Sequence, residues 1–308
     1  MASFHIPRTR SHNTWNRAHE PALTVDPGSV VRLEVANASG GQLTAQSRVE
    51  DVGRLDFSRI NPVTGPVAVR GAEPGDALVV EILDVALDDW GWTANIPGFG
   101  LLADEFTEPH LRISRLSARG AELLPGLVIP TAGFVGTIGV ALAEEGDHPV
   151  VPPSRQGGNM DIRHVTRGAV LHLPVAVAGA LFSLGDTHAA QGDGEVCGTA
   201  VETSAVVTVR LSLEKARNLP YPLLETHPVS ARAGRAIATT GIGPDLFEAA
   251  RDATRGMIAE IQRRAGLDAV DAYLVASTAA DLRISEIVDQ PNWVVSMHLE
   301  RDVLQGGA

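Results

Sequence analysis

Short runs in which apolar and polar side chains alternate recur through the first 240 residues, and the period lengthens only near the C-terminus. Ser29 to Ala36 alternates in part as a half-buried strand does, with Asp26-Pro-Gly28 supplying the turn before it. Ala77 to Leu87 repeats the design after Glu73-Pro-Gly-Asp76, and the period of two sends Leu78, Val80 and Ile82 toward a core and Val79, Glu81 and Leu83 away from it. The two turn-then-strand units look alike, but such units recur in any β protein and do not establish a duplication. Strands are also expected at His110 to Leu116, Ala169 to Val177, Ala200 to Leu213, Ala231 to Thr239 and Trp293 to Leu299, all rich in β-branched residues and bounded by Gly or Pro.

Helical spacing comes late. Between Pro244 and Ala265, Leu246, Phe247, Ala250, Met257, Ile258 and Ile261 recur at three- and four-residue intervals, with Pro244 before the first turn and Gly266 after the last. A second helix is predicted from Asp268, as N-cap, through Val270, Tyr273, Leu274 and Ser277 toward Leu282. The expected class is α+β and β-rich: an antiparallel, sandwich-like body with a helical segment near the C-terminus. Pro/Gly-rich patches at Asn61 to Gly75, Asn95 to Gly100 and Pro149 to Gly158 read as loops, the second as a structural turn or the lid or rim of a site. One unit spans 1–308, with a β-rich part over 1–150 and the catalytic portion over 151–308.

Composition sharpens the picture. Hydrophobic residues make up 44% and charged residues 20%, enough for a large core and against disorder. With 31 Gly, 19 Pro and 4% aromatic content, many short strands and tight turns are favoured. A net charge of −12 repels a phosphate backbone, so nucleic acid is a poor partner. The N-terminal residues lack a charged-then-apolar secretion pattern, and the longest apolar run, Ala169 to Leu184, falls short of the roughly 20 residues that cross a bilayer. The single cysteine, Cys197, forms no internal disulfide and suits a reducing compartment, so a cytoplasmic protein away from membranes is expected.

Chemistry concentrates between Gly157 and Glu202. Potential ligands sit two apart: Asn159 with Asp161, Asp186 with His188, and Asp193 with Glu195. In extended backbone such pairs project to one face, and the flanking glycines leave room for a ligand. Buried together, these carboxylates would repel one another, and a divalent cation would resolve the repulsion. Oxygen donors suit calcium, magnesium or manganese, whereas an imidazole moves the preference toward zinc, so zinc and calcium both stay open. The plain alternative is a glycine-rich surface turn whose Asp residues cap backbone amides. The apolar strand Ala169 to Val177 between the two clusters is the expected rigid support.

The motifs in combination resemble the acetamidase/formamidase family. They run from Gly157-Gly-Asn-Met-Asp161 through Leu173-Pro-Val175 to Gly185-Asp-Thr-His-Ala-Ala-Gln-Gly-Asp-Gly-Glu195 and Glu202. Similar stretches lie at His12-Asn-Thr-Trp15, Gly41-Gln42, Asn61-Pro-Val-Thr-Gly-Pro66, Gly71 to Asp76, Pro97-Gly-Phe-Gly100, Ser277, Asp281 to Ser285 and Val288 to Asn292. The resemblance implies hydrolysis of a small amide to a carboxylate and ammonia, on a β-rich fold and in a homodimer or higher homo-oligomer. It also implies a metal or catalytic cluster at Asn159, Asp161, Asp186 and His188 with Glu195 as acidic partner. One segment departs from the family pattern: Pro130-Thr-Ala-Gly-Phe134 displaces an expected aromatic, which leaves the pocket's size open and a larger or cyclic amide as a rival substrate.

The expected mechanism places a divalent ion on Asp161, Asp186 and His188, gives Glu195 the proton transfer, and lets Asn159 ligate the ion or donate to the oxyanion. Cys197 as a thiol nucleophile is the competitor, weakened because no basic residue adjoins it in sequence. Glu202 is expected behind the ligands or exposed, and His12 matters only through its motif. A function of another class, a metal-stabilised β module that binds a ligand without turnover, would use the same residues.

Overall fold

The computed structural model describes residues 3–227 and 235–305. Two large, mainly antiparallel sheets share one core. The nine-stranded sheet runs in the order Ser3–Ile6, Ser29–Val35, Ala205–Glu214, Ala77–Leu87, Val170–Pro174, Leu223–Glu225, Ala236–Gly243, Trp293–Glu300 and Ala280–Glu286. The two look-alike turn-strand units therefore flank one common strand, Ala205–Glu214. Leu78, Val80 and Ile82 are buried as the alternation predicts, while Val79, Glu81 and Leu83 are partly exposed.

The second sheet has eleven strands. Its central path runs through Trp90–Asn95, Glu202–Thr203, Phe182–His188, Phe134–Gly139 and Gly157–Asn159, and Val63–Val69 pairs alongside Phe182–His188. Side chains from both sheets, among them Leu33, Leu171 and Val207 from one and Val67, Ile138 and Leu184 from the other, interdigitate in a single cluster. Strands from before and after residue 150 interleave in both sheets.

On the outer face of the nine-stranded sheet lies the helix Leu246–Ala265. Ala249, Ala253, Met257 and Ile261 pack against Val295, Met297 and Leu299. Asp245 caps it by accepting from Glu248 N at 2.9 Å, and Gly266 ends it at φ 69°, a left-handed conformation that costs glycine nothing. Asp268 caps the second helix as expected, accepting from Asp271 N. No helix among the described residues is long and apolar enough to cross a membrane.

Several expectations need correction. The second helix ends at Ala279, and Ala280–Glu286 is a strand, because the edge of the sheet beside Trp293–Glu300 satisfies its backbone. Asn61 to Gly75 contains the wholly buried strand Val63–Val69. Gly65 is needed there because a Cβ would press into Phe182 O and Ser183 of the neighbouring strand. The stretch Ala200 to Leu213 breaks into Glu202–Thr203 in one sheet and Ala205–Glu214 in the other. The strand expected from Ala231 is seen from Ala236 to Gly243, and 231–234 lie outside the described residues.

Candidate active site

Three strands of the eleven-stranded sheet, the end of the edge strand Ala280–Glu286 of the other sheet and the adjoining loops bring the chemistry together. Phe182–His188 carries Asp186 and His188, Gly157–Asn159 leads into Asp161, and Glu202 stands opposite His188 in strand register. The apolar strand Val170–Pro174 lies in the other sheet, so it backs the core rather than carrying the ligands.

His188 is the hub. Its Nε2 lies 3.1 Å from Asp186 Oδ1 and 3.1 Å from Glu202 Oε2, and its Nδ1 is 3.6 Å from Asp161 Oδ1. The ring is fixed from behind: Nδ1 is 3.0 Å from Gln191 Oε1, Gln191 donates its amide to Asp161 O at 2.8 Å, and Phe134 meets the imidazole edge-on at 5.0 Å. Asn159 donates to Asp289 Oδ2 at 2.6 Å and accepts from Thr137 Oγ1. Asn61 Nδ2 lies 3.5 Å from Asp186 Oδ2. Glu202 Oε1 accepts from Ala200 N at 2.8 Å. Glu286 Oε1 accepts from the amides of Val288 and Asp289 and so shapes the turn that presents Asp289.

Asn61, Asp161, Asp186 and Glu195 all have positive φ, between 46° and 52°. Residues other than glycine rarely adopt this conformation, and at Asp186 it breaks the simple in-out alternation of its strand. The spacing-two argument succeeds for Asp186 with His188, which stand 3.1 Å apart. It fails for Asp193 with Glu195: Glu195 enters the cluster, while Asp193 turns out to Arg163 at 3.1 Å.

Six buried carboxylates, Asp161, Asp186, Glu195, Glu202, Glu286 and Asp289, surround one buried imidazole. Among the described residues no Lys or Arg is ion-paired with any of them. Burial, then the charge of Asp186, raises the Asp161 pKa well above the usual range. Burial, then Asp161, does the same to Glu195, and burial, then Glu286, to Asp289. Burial also raises Glu202, and it takes Glu286 to about 7. For His188 burial works against the charged ring, but Glu202 and Asp186 together outweigh it and lift its pKa well above 6.5.

These groups suit a cation. Both oxygens of Asp161, Nε2 of His188 and Oε2 of Glu202 are buried without an aligned hydrogen-bond partner. Ligand atoms of Asp161, Asp186 and His188 lie within 4.8 Å of one another, as do those of His188, Glu195 and Glu202 and of Asp161, Glu195 and Asp289. A Cβ at Gly136 would collide with Asp161 Oδ1 and come within 2.9 Å of Asp186 Oδ2, so glycine keeps this space open.

Asn61, Asn159, Asp186, Glu195, Glu202 and Asp289 line a cavity of about 280 Å³, with Asp161 and His188 beyond its lining. Leu55, Ile60, Trp92, Ile96, Phe99 and Val151 make its apolar walls, so the Asn95 to Gly100 turn is a rim. Glu195 and Thr199 also border a second cavity of about 670 Å³, which Cys197 and Gln191 line. Cys197 contacts Thr199, its Sγ 3.3 Å from the carbonyl, and stays outside the acidic cluster. His12 is bound to Thr14 O and Ser183 Oγ, a structural post away from these residues.

Residues 3–148 and 141–305 match the Acetamidase/Formamidase family. This chain belongs to that family. The formamidase of Methylophilus methylotrophus is 28% identical over 96% of this chain and 89% of its own length. The solved acetamidase from Bacillus halodurans is 30% identical, with a TM-score of 0.88 over 96% of this chain and 97% of that one. A γ-lactamase from Delftia acidovorans is 27% identical, with a TM-score of 0.69 over 96% and 90% of the two chains.

In this family member the structure gathers all the expected site residues, Asn159, Asp161, Asp186, His188 and Glu195, and adds Glu202, Glu286 and Asp289. The sequence leaves Glu202 behind the ligands or exposed, whereas in the fold it is buried against His188. Asp289 lies in the Val288 to Asn292 stretch of the family resemblance, which was the one signal for it, more than ninety positions beyond Glu195.

Proposed function

We propose that this chain is an amidase acting on non-peptide C–N bonds, hydrolysing small linear amides to a carboxylate and ammonia. The observation that carries the reading is a cluster of buried, unpartnered carboxylate and imidazole atoms whose members Asp186, Glu195, Glu202 and Asp289 line an apolar cavity in a member of this family. Asp161, Asp186 and His188 would hold a divalent cation, and the imidazole favours zinc over calcium. When bound, such an ion supplies Lewis acidity that polarises an amide carbonyl and acidifies water.

The chain's own groups do the rest. Glu195 reaches the cavity, and its raised pKa suits a carboxyl that takes a proton from attacking water and returns it to the leaving nitrogen. Asn159 spends one N–H on Asp289, and its amide, with that of Asn61, lies at the cavity floor where a carbonyl oxygen would sit. Gln191 holds the His188 ring so that Nε2 faces the carboxylates. Trp92, Ile96 and Phe99 keep bulk water from the acyl group.

Ammonia release from formamide and acetamide, before and after chelation, tests this. Metal-dependent release supports it; no release from any amide sinks it and leaves the binding module without turnover. A second reading, a larger or cyclic amide, draws on the likeness to a γ-lactamase and on a cavity of about 280 Å³, against roughly 30 Å³ for a water in the liquid. A panel from formamide through hexanamide to a five-membered lactam separates the two by kcat/KM. Self-association into a homodimer or higher oligomer is supported by the edge strand Ala280–Glu286, where Leu282 and Ile284 are exposed, and sedimentation checks it. A cytoplasmic site of action is in keeping with the lone Cys197.

A further inference from the structure

We propose that two copies of this chain join edge to edge along Ala280–Glu286, extending the nine-stranded sheet into one continuous sheet with the twofold axis at Leu282. The inference rests on the self-association proposed above and names the surface and register that carry it.

The two helices differ in what they show to solvent. Leu246–Ala265 turns Glu248, Arg251 and Arg255 outward, as a helix facing water does. Ala269–Ala279 has one charged residue, Asp271. It buries Ala272 and Ala276 and leaves Val270, Tyr273 and Leu274 between 56% and 68% exposed. Such an uncharged outer side marks a surface that another body covers. The helix runs directly into the edge strand at Ala280. There Leu282 lies opposite Met297 and Ile284 opposite Val295, so both point to the face on which Leu246–Ala265 packs. At the edge they are uncovered, 50% and 40% exposed.

The strand itself identifies the occupant. Among the described residues no strand pairs with its outer edge, and only Ser285, whose carbonyl accepts from Gly194 N at 2.9 Å, is engaged there. The open stretch is Ala280 to Ile284. When two such strands meet antiparallel in one sheet, opposed side chains share a face, so the axis must pass through a residue. An axis at Asp281 or at Arg283 sets a charge against its own copy, which is destabilising. An axis at Leu282 sets Asp281 opposite the partner's Arg283 and Arg283 opposite the partner's Asp281. It also sets Leu282 on its own copy and Ala280 opposite the partner's Ile284. Axes farther out reach the end of the strand or the Gly194 contact. The side chains of Asp281 and Arg283, 73% and 32% exposed and 2.9 Å apart, are thus available to a second pair of the same kind. The strand is complementary to itself, as an isologous interface requires.

Charge reversal tests the register. Sedimentation equilibrium of the full chain is expected to show a dimer. Asp281→Arg and Arg283→Asp, each alone, oppose like charges at both pairs and are expected to raise the dimer dissociation constant about tenfold. Mixing the two variants opposes unlike charges again and is expected to recover association near the wild-type level as a heterodimer. Neither variant keeps the Asp281–Arg283 contact within its own chain, so recovery on mixing reports the contact between chains. Circular dichroism checks that each is folded. Should one not fold, Leu282→Cys in a Cys197→Ser background reads the same axis, since directly opposed strand residues are close enough for a disulfide. Mild oxidation is then expected to give a covalent dimer, and its absence overturns the axis. A dimeric wild type indifferent to both reversals, or a mixture no tighter than its components, overturns this register while leaving self-association through another surface. A monomeric wild type overturns both.

Discussion

The two sheets of this protein obey different rules. In the nine-stranded sheet, strands such as Ser29–Val35 and Ala77–Leu87 send alternate residues inward, and their polar neighbours, Arg32 and Glu81, face out. In the eleven-stranded sheet, Phe182–His188 is buried at every position, and Asp186 departs to positive φ within it. The first sheet maximises apolar contact, while the second spends backbone strain and buried charge to aim side chains at one point. A fold can carry such a site because the other sheet and the shared core over-determine the structure around it.

Four changes would break or sharpen this contrast. Glu195→Gln, in the loop between Phe182–His188 and Glu202–Thr203 of the strained sheet, is expected to lower kcat for amide hydrolysis by about 10²–10⁴-fold. Its melting temperature should hold or rise, because a buried ionisable group is removed. Activity near the wild-type level would dismiss Glu195 as proton carrier. Leu33→Ala, in the regular sheet, is expected to cost about 2–5 kcal/mol in chemical denaturation through the cavity it leaves. Its kcat/KM per folded molecule should be unchanged, and a specific kinetic defect would show that the sheets are not separable in this way.

Third comes pH. Without a cation, burial raises the folded-state pKa of Glu286 from 4.5 to about 7, although the amides of Val288 and Asp289 oppose the rise. Between those values the unfolded chain has released a proton that the folded chain retains, so stability falls as pH rises across that window. The expected loss is about 1–3 kcal/mol. Melting of the chelated protein should therefore drop between pH 4.5 and 7, and added zinc should flatten the drop; a rise instead would contradict the burial argument. The smallest effect is expected for Asp193→Asn, where the carboxylate pairs at the surface with Arg163. Stability should shift by less than about 0.5 kcal/mol, with kcat within a small factor of wild type.

The contrast also explains what could be read in advance. Period-two alternation located Ala77–Leu87 and its inward face, and the flanking Asp245, Gly266 and Asp268 are the caps of two helices read from spacing. These signals are local, since each depends on backbone geometry within a few residues. The buried strand Val63–Val69 escaped because Gly65 and Pro66 look like loop residues, and only the neighbouring strand explains why glycine is required. Likewise Asp193 and Glu195 look equivalent in sequence but part company at a positive φ.

For the site, the chain alone determined which chemical groups were present and that several lay two residues apart beside glycines, because composition and spacing are properties of the chain itself. The family resemblance, carried by motifs from His12 to Asn292, rested on the same linear information. Convergence belonged to the tertiary structure. Glu202 faces His188 through strand register, and Asp289 reaches Asn159 across 130 positions of chain. The physical reason is that a side chain's direction follows from its own backbone, whereas its neighbours follow from how distant strands pair and how the core between them packs.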